Sequence, residues 1–337
     1  MTDVSTAPLD AILHGYQTRT GGIDVDDVRT LAQGLVLTPF TSTTVIDFSG
    51  KDAQRFLQTK LSCDTRKWAK EGGSYGFAVD INGRVLFDGH FATLPNGKAR
   101  LWSAPGMESA IVGHFDRYII VDDVVMTPQR DLDHFLLSAE SETALWEALD
   151  LKAPDAPFQV IEAEGLRVIP VERAARPSVL LEAETATLQT LVRRLNERGA
   201  RVVSWESWRA FEILEGFVRV GADLEVGVTI PLEAELEVGV HYNKGCYLGQ
   251  EVIERLRSRG NASRGFRRAV IQAPAVERGA TIVDEKGSDV GVVRSSLTIG
   301  QTTHAIVQLR RRVLDAPTEL RLQALEGPTL TIEGAVR

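Results

Sequence analysis

Cys246 is the residue whose sequence surroundings are best suited to covalent or redox chemistry. It lies in the segment His241–Glu251, two residues after Lys244 and between two glycines that permit tight backbone turns. The apolar spacing of the residues that follow predicts a helix over Gln250–Arg257. An ammonium group and a helix N-terminus each favour the thiolate form of a nearby cysteine. The segment therefore predicts a reactive thiol, and the alternative is a small buried hydrophobic side chain.

Other residues capable of binding metals or forming covalent intermediates are scattered. The second cysteine, Cys63, lies beside Asp64 at an expected helix end, where we predict a structural role. Two cysteines cannot form a disulfide framework, a zinc cage or a four-thiolate cluster site. The six histidines occur singly, and the motifs G-x-x-x-x-G-K-[ST], H-E-x-x-H and C-x-x-C do not occur. We therefore predict no metal site.

The charge of the chain limits the class of partner. The 337 residues include 46 acidic and 38 basic side chains, for a formal net charge of -8. General binders of nucleic acid or anionic membranes normally carry the opposite charge, so neither partner is expected. The net charge does not exclude a local basic pocket, since six arginines occur from Arg255 to Arg268. That stretch is either a solvated face or a small pocket for carboxylates or phosphates.

Hydropathy and the N-terminal sequence predict the compartment. No apolar run approaches the roughly 18 residues that a membrane-spanning helix requires. The first residues show no basic leader followed by an apolar stretch, so no signal peptide is expected. Together these features predict a cytoplasmic protein.

The elements that must position the cysteine segment begin with a mixed region over residues 45–127. The first 40 residues predict an irregular or partly helical lead-in, with Gly21 and Gly22 as breakers. The mixed region then contains a helix that starts at Ser49–Asp52 with a capping-box pattern, strands around the hairpin turn Asn82-Gly83, a helix over Met107–Ile119 and a strand over Val121–Met126.

The predicted secondary structure changes near residue 260, from mixed helices and strands to short strands. The middle region has short apolar runs typical of strands at Phe135–Leu137, Val160–Ile161 and Val179–Leu181, a helix over Thr185–Arg198 and a second helix holding Trp205, Trp208 and Phe211. Beyond Arg264, six short strands separated by turn residues predict a small β-barrel or sandwich.

Several segments resemble one known family. Lys244–Glu251, with the sequence KGCYLGQE, resembles the K-G-C-Y-x-G-Q-E signature of the YgfZ family of folate-binding proteins, relatives of the glycine-cleavage T-protein, an aminomethyltransferase. Phe48–Gln58 is similar to the F-x-G-x-D-A-x-x-F-L-Q opening of that superfamily, and Thr229–Glu233 to its T-x-P-x-E stretch. These matches span roughly residues 45–270.

The resemblance implies a fold and its domains. It implies an α+β, T-protein-like multi-domain ring with a C-terminal β-barrel and a central hole for tetrahydrofolate. A central folate-binding domain would comprise residues 1–45 and 128–257, a ferredoxin-like α+β domain residues 46–127, and the barrel residues 258–337.

The resemblance also implies function. It indicates a tetrahydrofolate-binding accessory protein for assembly or maintenance of iron–sulfur enzymes, with iron–sulfur enzymes or assembly factors as partners and Cys246 as the essential group. The folate-binding candidates that follow from it are Lys244, Tyr247, Gln250, Glu251, Arg255, Asp88 and Glu215.

Two departures from T-proteins affect the folate site. Asp88 stands in or next to a position where T-proteins have two adjacent acids. In the T-protein stretch R-x-E-x-G, this chain has Glu212 in place of arginine and Leu214 in place of glutamate, and Glu215 substitutes only through a one-residue shift. The orientation of the pterin is therefore left open.

Two other functions are compatible with the sequence. A folate-dependent aminomethyltransferase or demethylase needs an acid–base group at the folate nitrogen that accepts the one-carbon unit, but does not need the cysteine motif. A redox sensor or scaffold that binds no folate is the third interpretation. Folate titration distinguishes this third interpretation from the folate-binding accessory factor and the aminomethyltransferase.

Overall fold

The computed structural model describes residues 25–40, 43–260, 262–316 and 318–337. The strands are β1 Val36–Pro39, β2 Thr44–Ser49, β3 Gly73–Val79, β4 Val85–Thr93, β5 Ala99–Ser103, β6 Val125–Gln129, β7 Asp133–Ser138, β8 Ile161–Ala163, β9 Leu166–Pro170, β10 Ser178–Ala183, β11 Arg201–Val202, β12 Arg264–Ile271, β13 Thr281–Asp284, β14 Asp289–Ile299, β15 Thr302–Arg310, β16 Leu320–Leu322 and β17 Thr329–Ala335. The α-helices are α1 Val25–Gln33, α2 Ala53–Lys60, α3 Trp68–Glu71, α4 Glu108–Asp116, α5 Glu142–Leu149, α6 Thr185–Glu197, α7 Trp205–Glu215, α8 Gln250–Arg259 and α9 Arg311–Asp315. Short 3-10 helices cover Thr65–Lys67 and Pro231–Ala234.

The chain divides into two compact units. The first comprises the chain up to Phe77 together with Phe87–Arg209, and the second comprises Ala78–Leu86 and Ala210–Arg337. The three domains expected from the family resemblance, with boundaries at residues 45, 127 and 257, stay a prediction.

A six-stranded sheet forms one layer of the first unit, in the order β11-β1-β7-β10-β9-β8. The strands β7 and β10 lie at the centre of this sheet. Their apolar side chains are therefore buried along nearly the whole strand. Helix α6 buries Leu188, Leu191, Val192 and Leu195, whose spacing places them on one face. Together with α5, it covers the sheet.

Over residues 25–39, the expected irregular or partly helical lead-in agrees with the helix α1 but is wrong for the strand β1. This stretch forms α1 and β1, and β1 joins the six-stranded sheet between β11 and β7. The strand β1 is stabilised by these tertiary contacts, and a strand of four residues has no clear signal of its own in the sequence. Gly21 and Gly22, the predicted breakers, lie outside the described residues.

A five-stranded sheet, in the order β3-β4-β5-β2-β6, contains the expected hairpin. The strand predicted over Val121–Met126 begins only at Val125, and the preceding helix α4 ends at Asp116. The reason is the attachment of the intervening loop to α2. Arg55 donates to Asp122 at 2.7 Å, and the backbone N–H of Asp123 donates to Asp52 at 3.0 Å.

The C-terminal region forms a closed barrel with strand order β12-β15-β14-β13-β16-β17. All six strands expected from the sequence are present, and one short helix, α9, follows β15. The barrel interior is filled by aliphatic side chains such as Ile271, Ile282, Val293 and Leu309. The predicted α+β class with a C-terminal β-barrel is therefore confirmed.

Candidate functional site

The cysteine motif lies in a loop of the second unit that leads into α8. Gly249 occupies the N-cap position of this helix with φ +79°, a left-handed conformation that glycine adopts at little cost. The side chain of Gln250 accepts a hydrogen bond from the backbone N–H of Tyr247 at 3.2 Å. The carbonyl of Tyr247 accepts from the N–H of Gln250 at 3.2 Å. Gln250 therefore fixes the backbone of Tyr247 relative to the helix.

The Asn82-Gly83 turn packs against the start of α8. A Cβ atom at Gly249 would overlap the carbonyl oxygen of Asp80, so the two backbones approach as closely as glycine permits. The carboxylate of Asp80 accepts from the backbone N–H groups of Asn82 and Arg84, both at 2.8 Å. The turn is thus braced by its own side chain and supports the loop that carries the thiol.

The Thr229–Glu233 stretch is joined to the same hairpin. Val85 donates its backbone N–H to the carbonyl of Thr229 at 2.9 Å, and Gly227 donates to the carbonyl of Val85 at 2.8 Å. Burial raises the pKa of Glu233, whose carboxylate accepts from the amide of Gln308 at 3.2 Å. The stretch that resembles T-x-P-x-E therefore connects the hairpin to the barrel within this unit.

Cys246 and Lys244 lie in different surroundings. Cys246 is exposed and forms no disulfide, whereas Lys244 is only 2% exposed. The Lys244 ammonium lies 4.7 Å from the centre of the Tyr247 ring, a cation–π contact. The expected contact between this ammonium group and the thiol stays a prediction.

Two tyrosines with buried hydroxyl groups flank the cysteine in the sequence. Tyr247 is 7% exposed, and its hydroxyl has no hydrogen-bond partner among the described residues. The same holds for the hydroxyl of Tyr242. Burial, reinforced by the charge of Glu254, raises the pKa of Tyr247, and burial with the charge of Glu237 raises the pKa of Tyr242 to about 12. Both rings therefore stay neutral phenols that can donate a hydrogen bond to a ligand or a water molecule.

The structure separates the remaining sequence-predicted site residues into three places. Glu251 and Arg255 are exposed on α8, and within the described ranges neither forms an ion pair. Glu215 is half-buried and pairs with Arg337. Asp88 belongs to the first unit, where it is half-buried and accepts from the Tyr75 hydroxyl at 2.6 Å. Tyr247 contacts two other candidates, Lys244 and Gln250.

Sequence reasoning missed the partner of Glu212. This carboxylate is fully buried on α7 and binds the guanidinium group of Arg219, with an Nε–Oε2 distance of 2.7 Å. The available signal was a charged residue between Phe211 and Ile213 in an apolar helix stretch. Buried carboxylates of this kind are normally paired. Here the pair forms at the position where T-proteins have arginine.

Neither a large cleft nor a cluster of metal ligands marks the motif among the described residues. A surface cleft of about 580 Å³ in the first unit is lined by residues of α5, α6 and the β8–β9 turn, and none of the predicted site residues contributes to it. No group of three histidine, cysteine, aspartate or glutamate side chains suited to a metal ion occurs in the described ranges. Nor does any helix there have the length and apolar character needed to cross a membrane.

Comparison with curated sequences identifies two kinds of relative, although no protein-family model matches the chain. The tRNA-modifying protein YgfZ of Yersinia enterocolitica is 22% identical over 299 residues, which cover 86% of this chain and 88% of the relative. A mitochondrial iron–sulfur cluster assembly factor IBA57 homolog of Neurospora crassa is 26% identical over 240 residues, 66% of this chain and 51% of that protein.

Comparison with solved structures identifies the fold. The glycine cleavage system aminomethyltransferase T of Bartonella henselae superimposes with a TM-score of 0.84, covering 98% of this chain and 97% of the other at 15% identity. Identity this low carries information on the fold alone, and it confirms the expected T-protein-like architecture. The chain therefore has the fold of the glycine-cleavage aminomethyltransferases, and its sequence is similar to those of YgfZ proteins.

Proposed function

We propose that this protein binds tetrahydrofolate and acts as an accessory factor in the assembly or maintenance of iron–sulfur enzymes. The observation that carries the proposal is an exposed free thiol, Cys246, one residue before a buried tyrosine whose hydroxyl has no hydrogen-bond partner among the described residues. The names of the relatives refer to tRNA modification and to iron–sulfur cluster assembly. Cys246 is the group that we assign to the chemistry.

The motif residues fit a reduced folate. Tetrahydrofolate has a flat pterin ring with a polar edge and an anionic glutamate tail, and it carries one-carbon units when bound. The neutral hydroxyl of Tyr247 supplies a buried donor, and Gln250 holds the backbone of that residue in place. We assign Lys244 and the exposed Arg255 to the anionic tail, because cations pair with carboxylates. Glu251 is the carboxylate of α8 that we assign to the donor edge of the ring.

Asp88 and Glu215 are weaker folate candidates. Each already has a partner, since Asp88 accepts from Tyr75 and Glu215 pairs with Arg337. Binding of the pterin by either carboxylate would have to compete with, or be shared with, that partner. The pterin contacts of both residues remain part of the proposal.

The aminomethyltransferase alternative is favoured by the fold alone. Against it, Asp88 stands without the second adjacent acid of T-proteins, and Glu212 replaces the arginine of the R-x-E-x-G stretch. We therefore expect no methylene-tetrahydrofolate when the protein is offered the aminomethylated lipoyl carrier protein of glycine cleavage. Sustained production in that assay would replace the proposed function with the alternative.

Folate binding is tested by calorimetry and thermal denaturation with the full chain. We expect a dissociation constant in the micromolar range, equivalent to about -8 kcal/mol. At ligand concentrations a hundredfold higher, binding stabilises the folded state by about 2.7 kcal/mol, which raises the midpoint of thermal unfolding. An absence of heat and of stabilisation at millimolar tetrahydrofolate would remove the folate half of the proposal.

The role of Cys246 is tested in a strain that lacks this protein. We expect lowered activity of several iron–sulfur enzymes, rescue by the wild type and no rescue by Cys246→Ser. The matched control is Cys63→Ala, which removes the other thiol and should rescue. Tetrahydrofolate binding by purified Cys246→Ser shows whether that variant is folded. Full rescue by a folded Cys246→Ser protein would make the cysteine structural.

A further inference from the structure

Arginines of the second unit fall into two classes. Seven of the ten arginines from Arg264 to Arg337 form ion pairs with carboxylates, for example Arg294 with Glu225 at 3.0 Å. Around the end of α8 the pattern is different. Arg257, Arg259, Arg264 and Arg310 are exposed and form no ion pair in the part of the chain that the structure describes. We call these four residues the arginine surface.

The strand register brings two members of the arginine surface together. Arg264 of β12 lies directly opposite Arg310 of β15, and both line a cleft of about 250 Å³ that also contains Asp289. Like charges at directly opposite positions destabilise a sheet. The charge of Arg264 acts on the half-buried Glu233, but the structure shows no ion pair between these two described residues. Two adjacent guanidinium groups are thus left available to an external anion.

The chain connects this pair to the end of α8. Arg259 is the last residue of α8, and β12 begins at Arg264. The carbonyl of Ser263 accepts from the backbone N–H of Arg311 at 2.9 Å, which fixes the start of β12 beside the end of β15. The arginine surface therefore extends from the last turn of the helix to the rim of the barrel.

Arg257 adds a planar stacking group. Its guanidinium carbon lies 3.7 Å from the centre of the Tyr242 ring, while the side chain is exposed. The guanidinium group therefore contacts the tyrosine ring on a residue that is otherwise exposed to solvent. Unpaired nucleic-acid bases stack on arginine planes and on aromatic rings of this kind. An acidic peptide would use the charges but has no base to stack on this plane.

We propose that the arginine surface binds single-stranded nucleic acid, with phosphates on Arg259, Arg264 and Arg310 and a base stacked on Arg257. The proposal does not rest on the folate function, and none of these four residues was assigned to folate. It is compatible with the net charge of -8, because contact is confined to one local basic surface and does not involve the whole protein.

The test is fluorescence anisotropy of the full-length protein with a labelled 12-nucleotide RNA and the equivalent DNA. Three phosphate contacts predict a weakening of about twentyfold between 50 and 200 mM salt, from a slope of about 0.7 per contact. The triple variant R259E/R264E/R310E should lose at least tenfold in affinity at 50 mM salt. Arg278→Glu, a matched change at another exposed arginine of the barrel, should stay within twofold of wild type. Tighter binding of the RNA than of the DNA would identify RNA as the ligand. Equal binding would support a site for single-stranded nucleic acid of either kind.

Arg257→Lys separates base stacking from charge. It keeps the positive charge and removes the plane, so RNA affinity should fall severalfold while affinity for inorganic polyphosphate stays unchanged. Thermal unfolding of each variant shows that it is folded. The proposal is overturned by no RNA binding at 50 mM salt, or by an equal loss in Arg278→Glu. It is also overturned if Arg257→Lys leaves RNA binding unchanged while polyglutamate binds as tightly as RNA, which would make the surface a site for acidic proteins.

Discussion

The two cysteine thiols differ in their exposure to solvent. Cys246 is exposed, whereas Cys63 is fully buried. Alkylation of Cys63 therefore requires a local or global opening of the fold, while Cys246 reacts from the native state. We expect iodoacetamide to modify Cys246 at least a hundredfold faster than Cys63 in native protein, as measured by peptide mass spectrometry. In denaturant the two rates should converge, and comparable rates in native protein would contradict the burial of Cys63.

We expect the hydroxyl of Tyr247 to destabilise the free protein and to strengthen tetrahydrofolate binding. A buried polar group without a partner destabilises the fold, so Tyr247→Phe should leave the free energy of unfolding unchanged or raise it by up to about 1 kcal/mol. The same change should weaken tetrahydrofolate binding about fivefold, as measured by calorimetry, because one hydrogen bond to the ligand is lost.

The control for that change is Tyr75→Phe. The Tyr75 hydroxyl donates to Asp88 at 2.6 Å, so its removal should lower the free energy of unfolding by about 1–3 kcal/mol. Urea denaturation distinguishes the two variants. A similar loss of stability in both would mean that Tyr247 has a hydrogen-bond partner within the folded protein.

At the scale of elements, α8 is bounded by two left-handed glycines in unlike environments. Gly249 has φ +79° and lies against the backbone of Asp80, while Gly260 has φ +71° and open space around its Cβ position. Gly260→Ala should cost about 1 kcal/mol for the left-handed backbone alone. Gly249→Ala should cost at least about 3 kcal/mol, because the hairpin must also move. Urea denaturation measures both, and equal losses would show that the hairpin does not support the helix start.

The sequence predicted those elements whose signals are local. The Asn82-Gly83 turn, the helix starting at Gln250 and the six barrel strands are confirmed, because turn residues and apolar spacing act over a few neighbours. The packing of that turn against Gly249 was not predicted, since it joins residues far apart in the chain. The pairing of Glu212 with Arg219 was also missed: the apolar neighbours of Glu212 indicate burial, but they do not identify the residue that pairs with it.

For the candidate site, the sequence names candidate residues but not their geometry. The motif singled out Cys246, Lys244 and Tyr247, and spacing suggested that the ammonium group serves the thiol. The structure places Lys244 in the interior, over the Tyr247 ring, and its effect on the thiol stays a prediction. Direction of a side chain in a loop depends on the packing around it, which two-residue spacing does not encode.

At the scale of the whole molecule, the first unit contains a buried ion network that joins its two sheets. Arg100 of β5 binds Asp47 of β2 and Glu182 of β10, each with a contact of 2.5 Å. Glu182 also accepts from Trp102 at 2.8 Å and contacts His134 at 3.1 Å. Burial alone would raise the pKa of Glu182, but these hydrogen bonds and the neighbouring charges hold it at about 2. The carboxylate is therefore ionised wherever the protein is folded above that pH.

This pKa links the stability of the first unit to acid. Because the folded value lies below the unfolded value of 4.5, the contribution of Glu182 is full above about pH 5.5 and is lost as the pH falls towards 2. Glu182→Gln should cost about 3–5 kcal/mol at pH 7, since it leaves Arg100 with one fewer partner. At pH 3 the difference from wild type should shrink by about 2 kcal/mol, as measured by urea denaturation at both pH values. The control Glu162→Gln changes an exposed partner of Arg167 and should show a small loss at either pH. A difference between wild type and Glu182→Gln that stays constant from pH 7 to pH 3 would show that the network does not hold this carboxylate ionised.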